Sequence, residues 1–159
     1  MVFNIEPRAY SIVPFAYFEV LGQIDRVSAK YKDILRRDWQ ELVFNYNVKN
    51  HKSTVILSGS FVELLLTYYC EKKRKKILGI KGSSGQVSNK KLYDCVLNDL
   101  ITYVTDQRWF GNDFSHLSNI ARVYRNFIHP GLELKSEGNI KAKAELCFIS
   151  AKEILNKIL

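Results

Sequence analysis

Two arginines, an asparagine and a histidine lie within eight residues in the C-terminal third of the sequence. They belong to the stretch RVYRNFIHPG, residues 122–131, and are Arg122, Arg125, Asn126 and His129. An α-helix turns about 100° per residue, so positions i, i+3, i+4 and i+7 put all four side chains on one stripe. Apolar residues gather on the opposite side of the same helix. The segment is therefore amphipathic, and its polar stripe contains neither Glu nor Lys.

These residue types suit the chemistry of phosphodiesters. A neutral imidazole such as that of His129 can take a proton from a ribose 2′-hydroxyl. A guanidinium such as that of Arg122 can bind two phosphate oxygens and stabilise charge that develops in the transition state. Asn126 can hold the imidazole or a ribose hydroxyl by hydrogen bonds. We expect neither a metal nor another cofactor, because the chain has three histidines and no carboxylate cluster beside them.

The same residues also permit a structural interpretation. A His-Pro pair often ends a helix, where a cation meets the negative end of the helix dipole. Arg122 or Arg125 could instead pair with Glu63, the only acidic residue in the apolar run 53–70, because a buried carboxylate needs a partner. Residue types alone leave both a polar network and a catalytic site open.

Length and composition indicate one packed domain. The chain has 159 residues, of which 47% are hydrophobic and 13% aromatic, which favours a globular core over disorder. We expect a cytoplasmic protein without membrane contact. The first residues lack the pattern of a secretory leader, and no apolar segment was expected to reach the roughly 18 residues of a transmembrane helix. Three cysteines without disulfide or metal spacing, Cys70, Cys95 and Cys147, fit a reducing compartment.

The balance of charge adds nucleic acid to the list of partners. The net charge is +8 and the isoelectric point is near 9.4, and such a balance attracts polyanions. Lys73 and Arg74, in the run EKKRKK (71–76), could bind phosphates of RNA. The alternative is a solvated helix end whose cations meet the dipole. Trp109 and Phe110 could stack on a base or cover the end of the core.

Apolar spacing predicts five helices and an all-α, up-and-down bundle. We expect a long first helix over about 14–46, bent near Arg36–Asp38. The second should be a buried central helix over 53–70 in which Ser58, Gly59 and Ser60 let another helix approach closely. It should end in the run 71–76, followed by a turn that includes Gly79 and residues 81–85.

The last three helices are predicted from their caps. Ser88 should cap a third helix that continues to about Thr105. Asp113 should cap a fourth, which Pro130 and Gly131 end just after His129. Asn139 should cap a fifth. Its apolar face is Ile140, Ala144, Cys147, Phe148, Ala151, Ile154, Leu155 and Ile158.

The stretch SGSFVELLL (58–66) and, some sixty residues later, RVYRNFIHPG together resemble the HEPN superfamily of small helical bundles. Bacterial stand-alone members often show a small-residue pair and a glutamate in the second core helix, then RN and HP at the end of a later helix. The hallmark of HEPN ribonucleases is an Arg, four to six residues and then a His, with a polar residue after the Arg. Arg122 and His129 have six residues between them, whereas Arg125 is the arginine followed by Asn126.

The resemblance covers about residues 50–159 and implies a metal-independent endoribonuclease that leaves a cyclic phosphate. It implies catalytic roles for Arg122, Asn126 and His129, a second phosphate contact for Arg125 and a supporting role for Glu63. Sites of this family are typically composite and form between two protomers, so a homodimer is expected. Members commonly act in toxin–antitoxin, phage-defence or RNA-processing systems, some with an antitoxin partner. Others are non-catalytic modules that bind a protein or nucleotide, which is the alternative for this chain.

Overall fold

A computed structural model of the chain describes residues 14–111 (14–17 by backbone alone) and 139–159, together with Val123, Tyr124, Phe127, His129 and Gly131. The described part is an all-α bundle with one small hairpin. Its elements are α1 (Pro14–Ile24), α2 (Ala29–Asn47), α3 (His51–Lys72), β1 (Ile77–Lys81), β2 (Val87–Lys91), a 3₁₀ turn (Leu92–Asp94), α4 (Leu97–Asp106) and α5 (Ile140–Ile158).

The central helix of the bundle is α3, as predicted. It packs against α2, α4 and α5. Aromatic rings fill the space between α2, α3 and α5: the Trp39 ring lies 5.6 Å from the Phe61 ring and 5.8 Å from the Phe148 ring, and Tyr46 stacks on Phe148 at 4.0 Å. Trp39 and Phe61 are completely buried. Apolar residues on nearly every side of α3 therefore serve its several neighbours.

Contacts at the helix ends give the up-and-down arrangement. Lys30, in the first turn of α2, binds Glu71 near the end of α3, with 2.9 Å between Nζ and Oε1, so α2 and α3 are antiparallel. Ala144, early in α5, packs with Val55, early in α3, so these two helices run in the same direction. The predicted fold class is confirmed.

The predicted first helix is wrong at one point. We expected one helix with a bend near Arg36–Asp38, but the chain leaves the helix at 25–28 and separates α1 from α2. Ser28 has an extended backbone, with φ −57° and ψ 146°. Val27 in the break is nevertheless 5% exposed. The helical spacing of apolar residues therefore continues across the break at 25–28, so the spacing does not predict the break.

The predicted third helix begins too early. Ser88 lies in β2 and Gly79 in β1, so neither the Ser88 cap nor the turn at Gly79 is correct. The two strands are antiparallel and pair Ile77 with Lys91 and Lys81 with Val87. Leu78 and Ile80 are buried under the hairpin. The apolar residues of this segment therefore reach the core from a strand and do not need a helix.

The start of α4 shows the consequence of that shift. Leu92, predicted on the third helix, is buried in the 3₁₀ turn, while Leu100 and Val104 are buried on α4. Val96, which the predicted third helix includes, lies at the N-cap of α4 and is 58% exposed. Only the second half of the predicted helix is thus helical.

The predicted fifth helix is confirmed. The Asn139 side chain accepts a hydrogen bond from the backbone N of Lys141 at 2.8 Å and caps α5. The predicted apolar face is buried except Ile140, which is half-buried. Cys70, Cys95 and Cys147 are free and buried, as expected of small core residues. The fourth helix and its Asp113 cap lie mainly outside the described residues; Val123, Tyr124 and Phe127 are helical, His129 lies at a bend and Gly131 is helical.

One described helix meets the length and composition of a membrane span, which corrects the expectation that no segment would. α3 has 22 residues and an 18-residue window with a mean hydropathy of 1.3, of which 50% is buried inside the bundle. The central helix of a soluble bundle passes the same test. Length and composition of α3 alone therefore assign no membrane contact.

Two phenylalanines provide a matched test of the core. Phe61 is fully buried and Phe44 is 46% exposed. We expect Phe61→Ala to lower the free energy of unfolding by about 3–5 kcal/mol, because it leaves a cavity among the rings of α2 and α5. Phe44→Ala should change it by less than about 1 kcal/mol. Urea unfolding followed by circular dichroism measures both, and equal losses would contradict this packing.

Candidate functional site

The motif segment, residues 122–131, is anchored to the bundle by its apolar side chains. Val123 and Phe127 are 8% and 6% exposed and form a cluster with Val55 of α3 and with Ala144 and Cys147 of α5. The amphipathic pattern predicted this inward face. Arg122, Arg125 and Asn126 lie outside the described residues, so the predicted common stripe stays a prediction.

His129 is exposed. Its position along the bundle follows from its neighbours in the sequence. Tyr124 packs at Gly59. Phe127 belongs to the cluster that contains Val55, and Val55 is four residues nearer the start of α3 than Gly59. From Tyr124 to Phe127 the chain thus runs antiparallel to α3, towards the end of the bundle where α3 and α5 begin.

Tyr124 of the motif segment approaches α3 closely at Gly59. A Cβ atom at residue 59 would overlap the Tyr124 ring and would lie 2.8 Å from the Tyr124 Cβ. No larger residue fits without displacement of that ring. The small residues of α3 were expected to admit another helix, and Gly59 does admit Tyr124. Ser58 is buried next to it, whereas Ser60 is exposed.

Glu63 lies one helical turn beyond Gly59 and supports α4. Its Oε2 accepts a hydrogen bond from the backbone N of Leu97, the first residue of α4, at 2.8 Å. Asp99 accepts another from the backbone N of Val96 at 3.2 Å. Two carboxylates therefore accept hydrogen bonds from the free backbone N–H groups at the start of α4, where the helix dipole favours negative charge.

The charge of Glu63 acts on Tyr124 of the motif segment. Burial raises the pKa of the Glu63 carboxyl, the bond from Leu97 opposes that shift, and the charge of Asp99 adds to it. The pKa of Tyr124 is raised by burial and then by the charge of Glu63. Glu63 was predicted as a support for the site. Its role in capping α4 was not, since no sequence pattern marks a carboxylate 34 residues before the helix it caps.

Lys73 and Arg74 are exposed at the end of α3. The Lys73 Nζ lies 5.4 Å from the centre of the Tyr69 ring. Arg74 adopts the left-handed conformation, with φ 57°. Its N–H binds the Glu71 carbonyl at 2.7 Å and the next N–H binds the Cys70 carbonyl at 3.0 Å, which is the Schellman ending of a helix.

Glycine is the usual residue at such an ending because side chains are strained there. In this chain α2 and α4 also have basic residues in the left-handed position, Lys49 (φ 60°) and Arg108 (φ 53°). A cation near the negative end of each helix dipole offsets part of that strain.

A network around Glu71 ties the end of α3 to α2 and to the 3₁₀ turn. Its carboxylate accepts hydrogen bonds from the hydroxyls of Tyr31 and Tyr93 and from Lys30. These bonds, the one from Tyr31 foremost, lower the pKa of Glu71 to about 2. Tyr31 is buried, whereas Tyr93 is 62% exposed.

The aromatic residues Trp109 and Phe110 cover this end of the core. Both are half-buried. The Tyr69 ring lies 5.4 Å from the Trp109 ring and 5.1 Å from the Phe110 ring. Of the two alternatives for these residues, the covering role is the one that the packing supports.

The positive charge of the chain is concentrated in one place. Residues 72–91, here the basic segment, contain eight Lys and Arg and no Asp or Glu, while the rest of the chain has 16 of each sign. The whole net charge of +8 therefore arises from the end of α3, the hairpin and the residues between them. Within the described part of the chain, Lys90 is the member of this segment that pairs with a carboxylate, Asp99, at 2.7 Å.

The start of the basic segment, at the end of α3, and the Phe127 cluster next to His129 lie at different levels of the bundle. From Val55, beside Phe127, to Lys72, at the start of the basic segment, α3 rises by about 25 Å. Lys73 and Arg74, predicted to bind phosphates for the motif segment, are thus far from the histidine.

The hairpin was missed in the sequence, although a signal was present. ILGIK and VSNKK flank GSSGQ, and two short runs around a Gly/Ser cluster are typical of a hairpin. Residues of the hairpin that could bind an anion, Lys81 and Lys91, were therefore not among the predicted site residues.

Among the residues that the structure describes, no group of three or more His, Cys, Asp or Glu could hold a metal ion.

A scan against protein-family models, a search of curated proteins and a search of solved structures found no match to this chain.

Substitution of Gly59 tests how the motif segment is held. Gly59→Ala should lower the free energy of unfolding by about 1–3 kcal/mol, because the new methyl group displaces Tyr124. Gly22→Ala in α1 is the control: nothing lies within 4 Å of a Cβ there, so we expect no loss and a gain of up to about 1 kcal/mol. In a Tyr124→Ala background, which removes the ring but keeps its Cβ, Gly59→Ala should destabilise the protein less. Equal losses in both backgrounds would show that Tyr124 does not occupy this position.

The Glu71 network predicts a specific dependence of stability on pH. The pKa of Glu71 is about 2 in the folded protein against an ordinary value of 4.5, so its contribution is present above pH 4.5 and is lost as the pH falls towards 2. Glu71→Gln should remove this part of the acid-induced loss. Urea unfolding at several pH values measures it, with Glu41→Gln, at an exposed position of α2, as the control. A wild-type and a Glu71→Gln protein with parallel pH profiles would contradict the assignment.

Proposed function

We propose that this chain is a HEPN-type, metal-independent endoribonuclease. The observation that carries the proposal is the placement of the motif segment: Val123 and Phe127 are buried between α3 and α5 while His129 is exposed. This is the orientation that a catalytic histidine on this segment needs. The all-α bundle is the fold that the HEPN resemblance implies.

The proposed chemistry assigns one role to each residue of the stripe. His129 takes the proton from a ribose 2′-hydroxyl, which attacks the adjacent phosphate and leaves a 2′,3′-cyclic phosphate. Arg122 stabilises the charge that develops on the phosphate, and Arg125 provides a second phosphate contact. Asn126 orients the imidazole or the ribose. For the three residues outside the described part, these roles rest on the sequence alone.

The proposal includes a homodimer with a composite site and a cytoplasmic role in toxin–antitoxin, phage-defence or RNA-processing systems. In this proposal Glu63 has a structural role beside the motif segment. It caps α4 through Leu97, and its charge acts on Tyr124 of the motif segment. A protein partner such as an antitoxin would cover the motif segment. The competing function is a non-catalytic module of the same fold that binds a protein or nucleotide.

Cleavage of labelled RNA tests the proposal. The wild-type protein should cleave in the presence of EDTA and leave cyclic phosphate ends. His129→Ala should lower the rate by about 10²–10⁴-fold, because general-base catalysis is lost. Arg122→Ala should lower it similarly, whereas Lys73→Ala should weaken binding without abolishing cleavage. Mass spectrometry of the product ends and initial rates provide the measurements.

The matched control is the same RNA with 2′-O-methyl groups, which lacks the attacking hydroxyl and should stay intact. Unchanged circular dichroism of His129→Ala would show that its loss of activity is not unfolding. Absence of cleavage by the wild-type protein, or equal rates for wild type and His129→Ala, would overturn the nuclease and favour the binding module.

A further inference from the structure

The outer face of the hairpin presents cations around a flat centre. Antiparallel pairing places Ile77 with Lys91, Gly79 with Asn89, and Lys81 with Val87 on one face, while Leu78 and Ile80 are buried beneath the other. Lys81 and Lys91 are both exposed, and no salt bridge among the described residues neutralises either of them.

The end of α3 continues this positive surface. Lys72, Lys73, Arg74 and Lys76 are exposed in the residues that lead from α3 into β1. Tyr93 follows β2 and is 62% exposed, and its ring lies 4.6 Å from the Lys30 ammonium. Cations beside an exposed ring are the groups that bind a nucleic-acid backbone and stack on a base.

We propose that the basic segment with Tyr93 is a second RNA-binding surface, separate from the motif segment, and that only RNA long enough to span the bundle contacts both. The separation along α3 is about 25 Å. A strand with stacked bases advances roughly 3.4 Å per nucleotide, so this separation corresponds to about seven stacked nucleotides. A shorter oligonucleotide contacts one end of the bundle or the other. The inference rests on the proposed function insofar as His129 is taken as the other contact.

A polynucleotide suits this surface better than an anionic bilayer. The two exposed apolar residues of the outer face, Ile77 and Val87, are each directly opposite a lysine and are separated by the Gly79–Asn89 pair. They form no continuous apolar wedge that could enter a membrane. A regular row of phosphates, in contrast, can meet lysines at both ends of the hairpin.

The experiment measures binding of 2′-O-methyl RNA of 5 and 16 nucleotides by fluorescence anisotropy at several salt concentrations. This RNA cannot be cleaved through its 2′-oxygen, so binding is measured whether or not the protein is a nuclease. For Lys81→Ala/Lys91→Ala and the 16-mer, the slope of log K against log salt should fall by about 1.4, since each phosphate contact to a single strand contributes about 0.7. The control, Lys32→Ala/Lys152→Ala on α2 and α5, loses the same charge elsewhere and should keep the wild-type slope.

Cleavage by the wild-type protein of an unmodified 5-mer and 16-mer gives the second comparison. The hairpin variant should cleave the 16-mer with a raised KM and an unchanged kcat, and the 5-mer as the wild type does. Arg74→Gly separates binding from stability: it should weaken binding of the 16-mer while raising the Tm, since Gly relieves the left-handed residue.

Equal salt slopes for the hairpin variant, the control and the wild type would overturn this inference and leave the nuclease proposal intact. Binding with the expected slopes but without any cleavage would refute the nuclease and support the surface. Binding of the wild-type protein to vesicles of phosphatidylserine, without binding to either RNA, would replace RNA by a membrane and overturn the inference.

Discussion

Burial of α3 along its whole length is the constraint on which the rest of the structure depends. A helix with apolar residues on nearly every side must be covered by several neighbours, and here α2, α4, α5 and the buried residues of the motif segment share that task. At Gly59 the ring of Tyr124 packs directly against the α3 backbone. The same packing that completes the core therefore also fixes the segment that carries His129.

The helices whose apolar periods are long could be predicted from the sequence. The central helix, the fifth helix with its Asn139 cap and the inward face of Val123 and Phe127 all follow from spacing and from capping residues. The break at 25–28 could not be predicted, because Val20, Ile24, Val27 and Tyr31 keep a helical spacing across it and all are buried. Burial shows which residues face the core, but it does not show whether the backbone between them is continuous.

The hairpin and the function of Glu63 depend on contacts between distant residues. Leu78 and Ile80 alternate over only five residues, too few to distinguish a strand from the start of a helix by period alone. Glu63 looks like a buried acid in need of a cation, yet it binds the backbone of Leu97. For the candidate site, the sequence thus predicted which residues lie near the core, whereas the distance between the motif segment and the basic segment required the fold.

Crosslinking of RNA to the protein tests the central claim most directly, namely that RNA contacts both ends of the bundle. A 2′-O-methyl 16-mer with photoreactive 4-thiouridine at its two ends, which the proposed chemistry cannot cleave, is irradiated with the wild-type protein, and mass spectrometry of the peptides reports the contacts. The account predicts crosslinks in residues 122–131 and in the peptide that contains Lys91 and Tyr93. Crosslinks confined to only one of these two regions, or spread evenly over the surface, would contradict it.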